Sequence, residues 1–330
     1  MIVSTAPTRI DLAGGTLDLW PLHLFFDNPP TINAAIDLYA SVEIRPRRDK
    51  AVVVESRDLK VKAKFPSVQA TPVNHPLQLI LRLVRFYEPD SGLEVVTHCQ
   101  APAGSGIGGS SSLNIALNGA LNRFTQRGYS KAQMIEIAKN IETQVINVPA
   151  GMQDYYAAMY GGVQAIQPGI EGVENRHFPV SPADLTQRFV LCFTGKPHNS
   201  GINNWAVYKR TINGDSLVRR KLKRIANAAW KIERVLDENR LKDFAPLFTE
   251  EWKARKALAP SISTPKMERL IRAAKKAGAL AAKVCGAGGG GCVAFFIQPG
   301  SKNAVTSALQ STGGTVLPFR FVSRGLRVQG

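Results

Sequence analysis

Acid is scarce in this chain. Its 330 residues carry 25 Asp and Glu against 42 Lys and Arg, a formal charge of +17. Such an excess suits an anionic partner, either nucleic acid or a small phosphorylated molecule. Much of it lies between Lys209 and Lys242, where Arg219, Arg220, Lys221, Lys223 and Arg224 cluster around a single aromatic, Trp230. No nucleic-acid motif accompanies them. We read them as a solvated helix face that attracts polyphosphate or a phosphosugar, and expect no nucleic-acid partner. Cysteine is scarce too: Cys99, Cys192, Cys285 and Cys292 are scattered, with no Cys-x-x-Cys and no accompanying His pair. That excludes a zinc knuckle and fits buried thiols in a reducing compartment. No apolar run reaches the length of a membrane span, and the N-terminus lacks a basic, then apolar, leader. The expectation is a cytoplasmic protein with no membrane partner, acting as a monomer or homodimer.

What is abundant is glycine, at 28 residues, and its placement is informative. Pro102 to Ser112 reads Pro-Ala-Gly-Ser-Gly-Ile-Gly-Gly-Ser-Ser-Ser. Directly afterwards Leu113, Leu117, Ala120, Leu121 and Phe124 recur at helical spacing. A loop nearly free of side chains thus runs into a helix N-terminus, where unpaired N–H groups and the positive end of the dipole meet. This is an anion site, and phosphate is the usual anion. It is not a Walker A loop, because no Gly-Lys-Ser/Thr follows. Gly104, Gly106 and Gly109 satisfy Gly-x-Gly-x-x-Gly, but the acidic residue expected about 20 positions later is missing. A nicotinamide dehydrogenase is therefore a second reading.

Residues 2–12 read as strand material broken at Pro7, and Gly14 and Gly15 then turn the chain toward Asp18. Strands are expected within 31–46, at 52–55 and at 93–97, and a helix at 77–88; residues 60–76 read as irregular and basic. A helix over 131–146 has the apolar stripe Met134, Ala138, Ile141 and Val145, with Glu142 on or beside it. A carboxylate there is costly to bury unless it is capped, salt-bridged or bound to a metal. Asp154 opens the next helix, either as a cap or as a functional acid. Glu142 and Asp154 are the acids available to the glycine loop. Residues 168–187 lack periodicity and mark a boundary. Beyond it come a strand at 188–193 and a polar stretch whose His198, with Asn199, Ser200, Asn203 and Asn204, suits a sugar site, loop packing being the other role for the histidine. Helices follow at about 203–211, 216–238, 242–258 and 265–277. Two β-like runs then bracket five glycines in six residues, 286–291, before a helix at 301–311 and a strand at 315–321.

Three separated motifs together resemble the GHMP kinases (galactokinase, homoserine kinase, mevalonate kinase, phosphomevalonate kinase). Ala6-Pro-Thr-Arg-Ile-Asp-Leu-Ala-Gly-Gly is similar to their first motif, Pro102–Ser112 to their second, and Lys283-Val-Cys-Gly-Ala-Gly-Gly-Gly-Gly-Cys-Val to their third. The resemblance implies an α+β, two-domain GHMP kinase-like fold. Residues 1–175 would form an N-terminal, ribosomal-S5-domain-2-like ATP-binding and catalytic domain, and 176–330 a C-terminal, ferredoxin-like GHMP domain. It implies ATP, Mg²⁺ and phosphoryl transfer to a small alcohol. Pro102, Gly104, Ser105, Gly106, Gly108, Gly109, Ser110, Ser111 and Ser112 would wrap the ATP phosphates. Ser110 and Glu142 would hold Mg²⁺. Asp154 would be the base, oriented by Arg9. Gly15, Thr16, Asp18, His198, Gly288 and Gly289 would meet the acceptor. The adenine pocket is expected within 45–75. Gly14-Gly15-Thr16-Leu17-Asp18 departs from the Gly-Glu-His-x-Asp of galactokinases. With Met152-Gln153-Asp154 it looks closer to the heptose-phosphate and fucose kinase branch, which implies a sugar or sugar-phosphate acceptor such as a heptose 7-phosphate. The alternatives are a mevalonate-type isoprenoid kinase, the dehydrogenase, and a basic nucleic-acid-binding protein.

Overall fold

The computed structural model describes the backbone of residues 1–195 and 200–330, and the side chains of all of these except 200–203. The first half contains β1 (Ile2–Ala13), β2 (Thr31–Pro46), β3 (Val52–Ser56), β4 (Val61–Phe65), α1 (Gln78–Tyr87), β5 (Leu93–Cys99), α2 (Gly109–Thr125), α3 (Lys131–Ile146), α4 (Gln153–Tyr160), β6 (Val163–Pro168) and β7 (Val173–His177). The second contains α5 (Pro182–Arg188), β8 (Phe189–Phe193), α6 (Ser200–Ile212), α7 (Ser216–Asp237), α8 (Phe244–Lys256), α9 (Pro265–Lys276), β9 (Ala279–Val284), β10 (Cys292–Ile297), α10 (Lys302–Ser311), β11 (Thr315–Leu317) and β12 (Arg327–Gln329). The architecture is α+β.

One sheet runs β12-β1-β2-β5-β3-β4. Its long β2 pairs with β5 through 40–46 and with β6 through 31–34, and β7 follows β6. Only β3 and β5 are parallel; the other pairings are antiparallel. The second sheet runs β11-β8-β10-β9, all antiparallel. The chain's last strand, β12, returns to the first sheet beside β1.

Several local expectations need correction. Pro7 does not break β1. The register shifts between Pro7 and Thr8, and this irregularity accommodates the missing N–H. Residues 61–65 are not irregular but form edge strand β4, whose Lys62 and Lys64 are exposed while Val61, Ala63 and Phe65 are half-buried. Lysines on an edge strand discourage further pairing. The aperiodic 168–187 stretch holds β7 and α5, the latter capped by Ser181 with Pro182 in its first turn. The helix after the glycine loop buries more than one face. Ser111 to Leu121 are all buried, because α2 lies among β1, β2, α1, α3 and α4. Its buried amides are bonded: Asn118 accepts from the Tyr87 hydroxyl at 3.0 Å, and Asn114 donates to the Ala138 carbonyl at 2.8 Å.

The two sheets are joined across a buried cluster of four charges. Lys283 of β9 stands 2.7 Å from Asp11 of β1, and Arg255 stands 2.5 Å from Glu251, both on α8. Arg255 also donates to the Gly15 carbonyl at 2.8 Å and to the Thr16 hydroxyl at 3.3 Å. None of the four side chains is more than 3 % exposed. Burial opposes ionisation of Asp11, but Lys283, Arg255 and Arg9 outweigh it and hold its carboxyl below the ordinary range.

Candidate active site

Arg9 gathers the three motifs. It sits on β1, 5 % exposed. Its Nε donates to Asp154 Oδ1 at 2.7 Å, and Nη2 approaches the same oxygen at 2.5 Å. Its Nη1 donates to the carbonyls of Gly106 at 2.7 Å and Cys285 at 2.9 Å. One guanidinium therefore binds the glycine loop, the loop after β9 and the acid that opens α4. Burial works against its charge; Asp154 and Asp11 more than compensate, and its pKa is raised.

The two glycine-rich loops lie back to back. A Cβ on Gly286 would meet the Gly106 carbonyl oxygen at 3.1 Å, and the Cys292 amide donates to the Ser105 carbonyl at 2.7 Å. Gly108 precedes α2 with φ +80°, and a Cβ there would lie 3.3 Å from the Asp154 carboxyl carbon. No side chain caps α2. Its first-turn amides are thus left to an anion, beside Asp154 and Arg9.

Glu142 of α3 is buried and accepts from the Tyr155 hydroxyl at 2.8 Å. The Ser111 and Ser110 hydroxyls nearby also favour its charged form. Burial raises its pKa, against these hydrogen bonds and with a contribution from Asp154. The Tyr155 hydroxyl is pushed well above its usual range by burial and by Glu142. Glu142 and Ser110 together offer two hard oxygens beside the anion cradle, which fits Mg²⁺, an ion that takes few protein ligands and completes its shell with phosphate and water. Among the described residues no group of three or more His, Cys, Asp or Glu gathers as a denser metal cage.

A cavity of about 680 Å³ opens over these residues. Its lining includes Arg9, Pro102, Gly104, Ser105, Gly106, Gly108, Gly109, Ser110, Ser111, Glu142 and Asp154, together with Gly15, Thr16 and Asp18. From the stretch 45–75 it takes Asp58 and Leu59. A larger apolar share comes from residues 76–80 and from Val145, Ile146, Val148 and Pro149.

Three expected site residues, Ser112, Gly288 and Gly289, lie outside the cavity lining, and Asp18 lines it with a further role. Ser112 does not line the cavity; its hydroxyl donates to the Pro7 carbonyl at 2.8 Å and ties α2 to β1. Asp18 borders the cavity, but its Oδ2 accepts the backbone N–H groups of Met152 at 2.7 Å and Gln153 at 3.0 Å. It caps α4 from a distant loop. Burial raises its pKa, against the hydrogen bond from Gln153. Gly288 and Gly289 lie outside the lining. Gly288 is pressed on Ile262, and the Gly289 amide donates to the Ile262 carbonyl at 2.9 Å. Gly286 and Ala287 take their place at the cavity. His198 lies outside the described residues. Asn204, expected near a sugar site, does line the cavity, while sequence reasoning missed Gln153, Trp205, Tyr208 and Arg255, which line it too. Arg255 carried no local signal, being one cation among many in a basic helix.

The dinucleotide reading fails on topology. The loop does join a strand, β5, to a helix, α2, but the next element is helix α3. The strand that would close a βαβ unit is absent among the described residues.

Comparison with known proteins agrees with this geometry. The GHMP kinases N terminal domain model matches residues 74–162, and the GHMP kinases C terminal model matches 230–315. The chain is 26% identical over 341 residues to D-glycero-alpha-D-manno-heptose 7-phosphate kinase of Campylobacter jejuni, covering 99% of this chain and 98% of that protein. It is 25% identical over 350 residues to mevalonate kinase of Pyrococcus abyssi, covering 100% and 98%. The crystal structure of a D-glycero-D-manno-heptose 1-phosphate kinase from Bacteriodes thetaiotaomicron superposes with a TM-score of 0.81 at 25% identity, covering 100% of this chain and 99% of that one. With both family domains matched in order, and with one buried arginine joining the motifs they carry, the chain belongs to the GHMP kinases.

Proposed function

We propose that the protein is an ATP-dependent kinase that transfers the γ-phosphoryl group to a hydroxyl of a sugar or sugar phosphate, with a heptose 7-phosphate as the best candidate. In this reading residues 1–175 form the ATP-binding and catalytic domain and 176–330 the C-terminal GHMP domain. The enzyme works in the cytoplasm as a monomer or homodimer. Among the described residues no helix is long and apolar enough to cross a membrane. The observation that carries the reading is the meeting of Asp154, Arg9 and the uncapped start of α2 at one cavity, with Glu142 in the same lining.

Residues 104–111 cradle the triphosphate through backbone N–H groups. Ser110 and Glu142 hold Mg²⁺, which when bound neutralises phosphate charge. Asp154 accepts the proton of the attacking hydroxyl. Arg9 holds that carboxylate in place and places positive charge beside the transferring group. Phosphoryl transfer asks mainly for positioning and charge neutralisation, and these residues supply both. The apolar lining from 76–80 and 145–149 suits the nucleoside.

The test is ADP release with ATP and Mg²⁺ across a heptose 7-phosphate, L-fucose, D-galactose and mevalonate. Turnover of a sugar or sugar phosphate is expected. Turnover of mevalonate alone moves the protein to the isoprenoid kinases, and failure to bind ATP removes the kinase reading. Asp154→Asn is expected to cut kcat by about 10²–10⁴-fold while leaving ATP binding intact. Full activity in that variant takes the base role away from Asp154.

A further inference from the structure

Glu142 is 6 % exposed and lines the cavity. Among the described residues no Lys, Arg or His forms an ion pair with it. Its surroundings are the Tyr155 phenol, the Ser110 and Ser111 hydroxyls and the like charge of Asp154. A buried carboxylate with no counter-ion is costly, so a cation entering from the cavity suits it. Such a cation needs the carboxylate held at one angle, yet the last torsion of a glutamate is intrinsically broad. The hydrogen bond from the Tyr155 hydroxyl to Glu142 Oε2, at 2.8 Å, restricts that torsion.

Tyr155 can do this because it is itself fixed. Its side chain is 1 % exposed, and the ring belongs to the apolar core that includes Leu113, Ile115, Ala138 and Ile141. It also follows Asp154 directly in α4. The first turn of α4 thus carries two neighbouring side chains with separate partners: Asp154 is held by Arg9 of β1, and Tyr155 holds Glu142 of α3. We propose that Tyr155 is a positioning residue for magnesium, whose hydroxyl keeps the Glu142 carboxylate in the orientation that receives the ion. This rests on the kinase reading, in which Glu142 and Ser110 hold Mg²⁺, and deepens it by naming the group that orients the ligand. Outer partners of metal ligands are typically worth about 10–100-fold in metal affinity.

The experiment measures binding of a non-hydrolysable ATP analogue by calorimetry, with saturating Mg²⁺ and with EDTA. It uses wild type, Tyr155→Phe, Glu142→Gln and the double variant. The ratio of the two affinities is the gain due to the ion. Wild type is expected to bind tighter with Mg²⁺, and Tyr155→Phe to lose about tenfold of that gain, or all of it, while its affinity in EDTA is unchanged. Glu142→Gln should lose the gain as well. Adding Tyr155→Phe to Glu142→Gln should change nothing further, because the phenol then has no metal ligand to hold. Tyr155→Phe keeps the ring and its packing, so the variant should fold. A purely structural role would lower its unfolding midpoint and shift both affinities together, and that result overturns the proposal. An undiminished gain in Tyr155→Phe overturns it too, as does a further loss of gain in the double variant. A wild type that binds the analogue equally well with and without Mg²⁺ removes Glu142 from metal binding, and the inference falls with that parent reading.

Discussion

A lysine at position 9 would reach Asp154 but could not also hold the carbonyls of Gly106 and Cys285, because an ammonium lacks the planar fork that now serves all three. Arg9→Lys is therefore expected to reduce kcat by about tenfold or more. It should also destabilise the fold by about 1–3 kcal/mol for each buried carbonyl left without a partner. Steady-state kinetics and urea denaturation read the two effects separately. An enzyme with normal kcat and lower stability would confine Arg9 to a structural role. Gly15 is a second single-residue case. A Cβ there would lie 2.5 Å from Asp11 Oδ2 and 2.8 Å from Gln153 Nε2. Asp11 cannot move aside, since Lys283 holds that oxygen. Gly15→Ala is expected to raise the acceptor KM more than the ATP KM, measured by varying each substrate in turn.

At the scale of elements, α4 and the paired loops set the site. The start of α4 depends on Asp18, a residue 134 positions away from Met152 in sequence. Asp18→Ala leaves the N–H groups of Met152 and Gln153 without that acceptor and should cost about 1–2 kcal/mol, the usual effect of losing a helix cap. The loss should be the same with and without acceptor sugar in the denaturation assay. A loss seen only as weaker sugar binding would return Asp18 to direct substrate contact. The two glycine-rich loops meet at Gly106 and Gly286, where a new Cβ would sit 3.1 Å from a carbonyl oxygen that Arg9 already binds. Gly286→Ala should push the glycine loop before α2 outward and, if that loop holds the phosphates as proposed, raise the KM for ATP.

Across the whole molecule, the halves are coupled by the buried cluster of Asp11, Glu251, Arg255 and Lys283. Two acids and two bases balance in charge, so the cluster tolerates burial only as a set. The folded pKa of Asp11 lies below its ordinary value of 3.8. Its contribution is therefore fully present above the unfolded pKa and is lost as pH falls through the lower, folded one. Asp18 and Glu142, raised by burial, act with the opposite sign, so the difference between variant and wild type is the useful quantity. Asp11→Asn should cost about 3–5 kcal/mol at neutral pH by leaving Lys283 uncompensated. That deficit should begin to shrink below about pH 4, where Asp11 of the unfolded wild-type chain protonates, and vanish only as pH falls through the lower folded value. Denaturation midpoints measured from pH 3 to 7 check this. A deficit independent of pH would mean that Asp11 acts by shape rather than charge.

The sequence alone determined the features that reside within a few residues of one another. The glycine loop running into α2, the stripe of α3 that carries Glu142, and the order of three motifs were all legible, since helix period and glycine spacing are short-range properties. Strand β4 was legible in principle from its alternating lysines but was obscured by basic composition. Only the tertiary structure decided which distant groups meet. Arg9 binds partners 97, 145 and 276 residues away. Asp18 lines the cavity and also caps α4, Ser112 braces α2 to β1, and Gly288 and Gly289 form a turn against Ile262. Such roles follow from how two sheets and their helices pack, which fixes distances that no local spacing encodes.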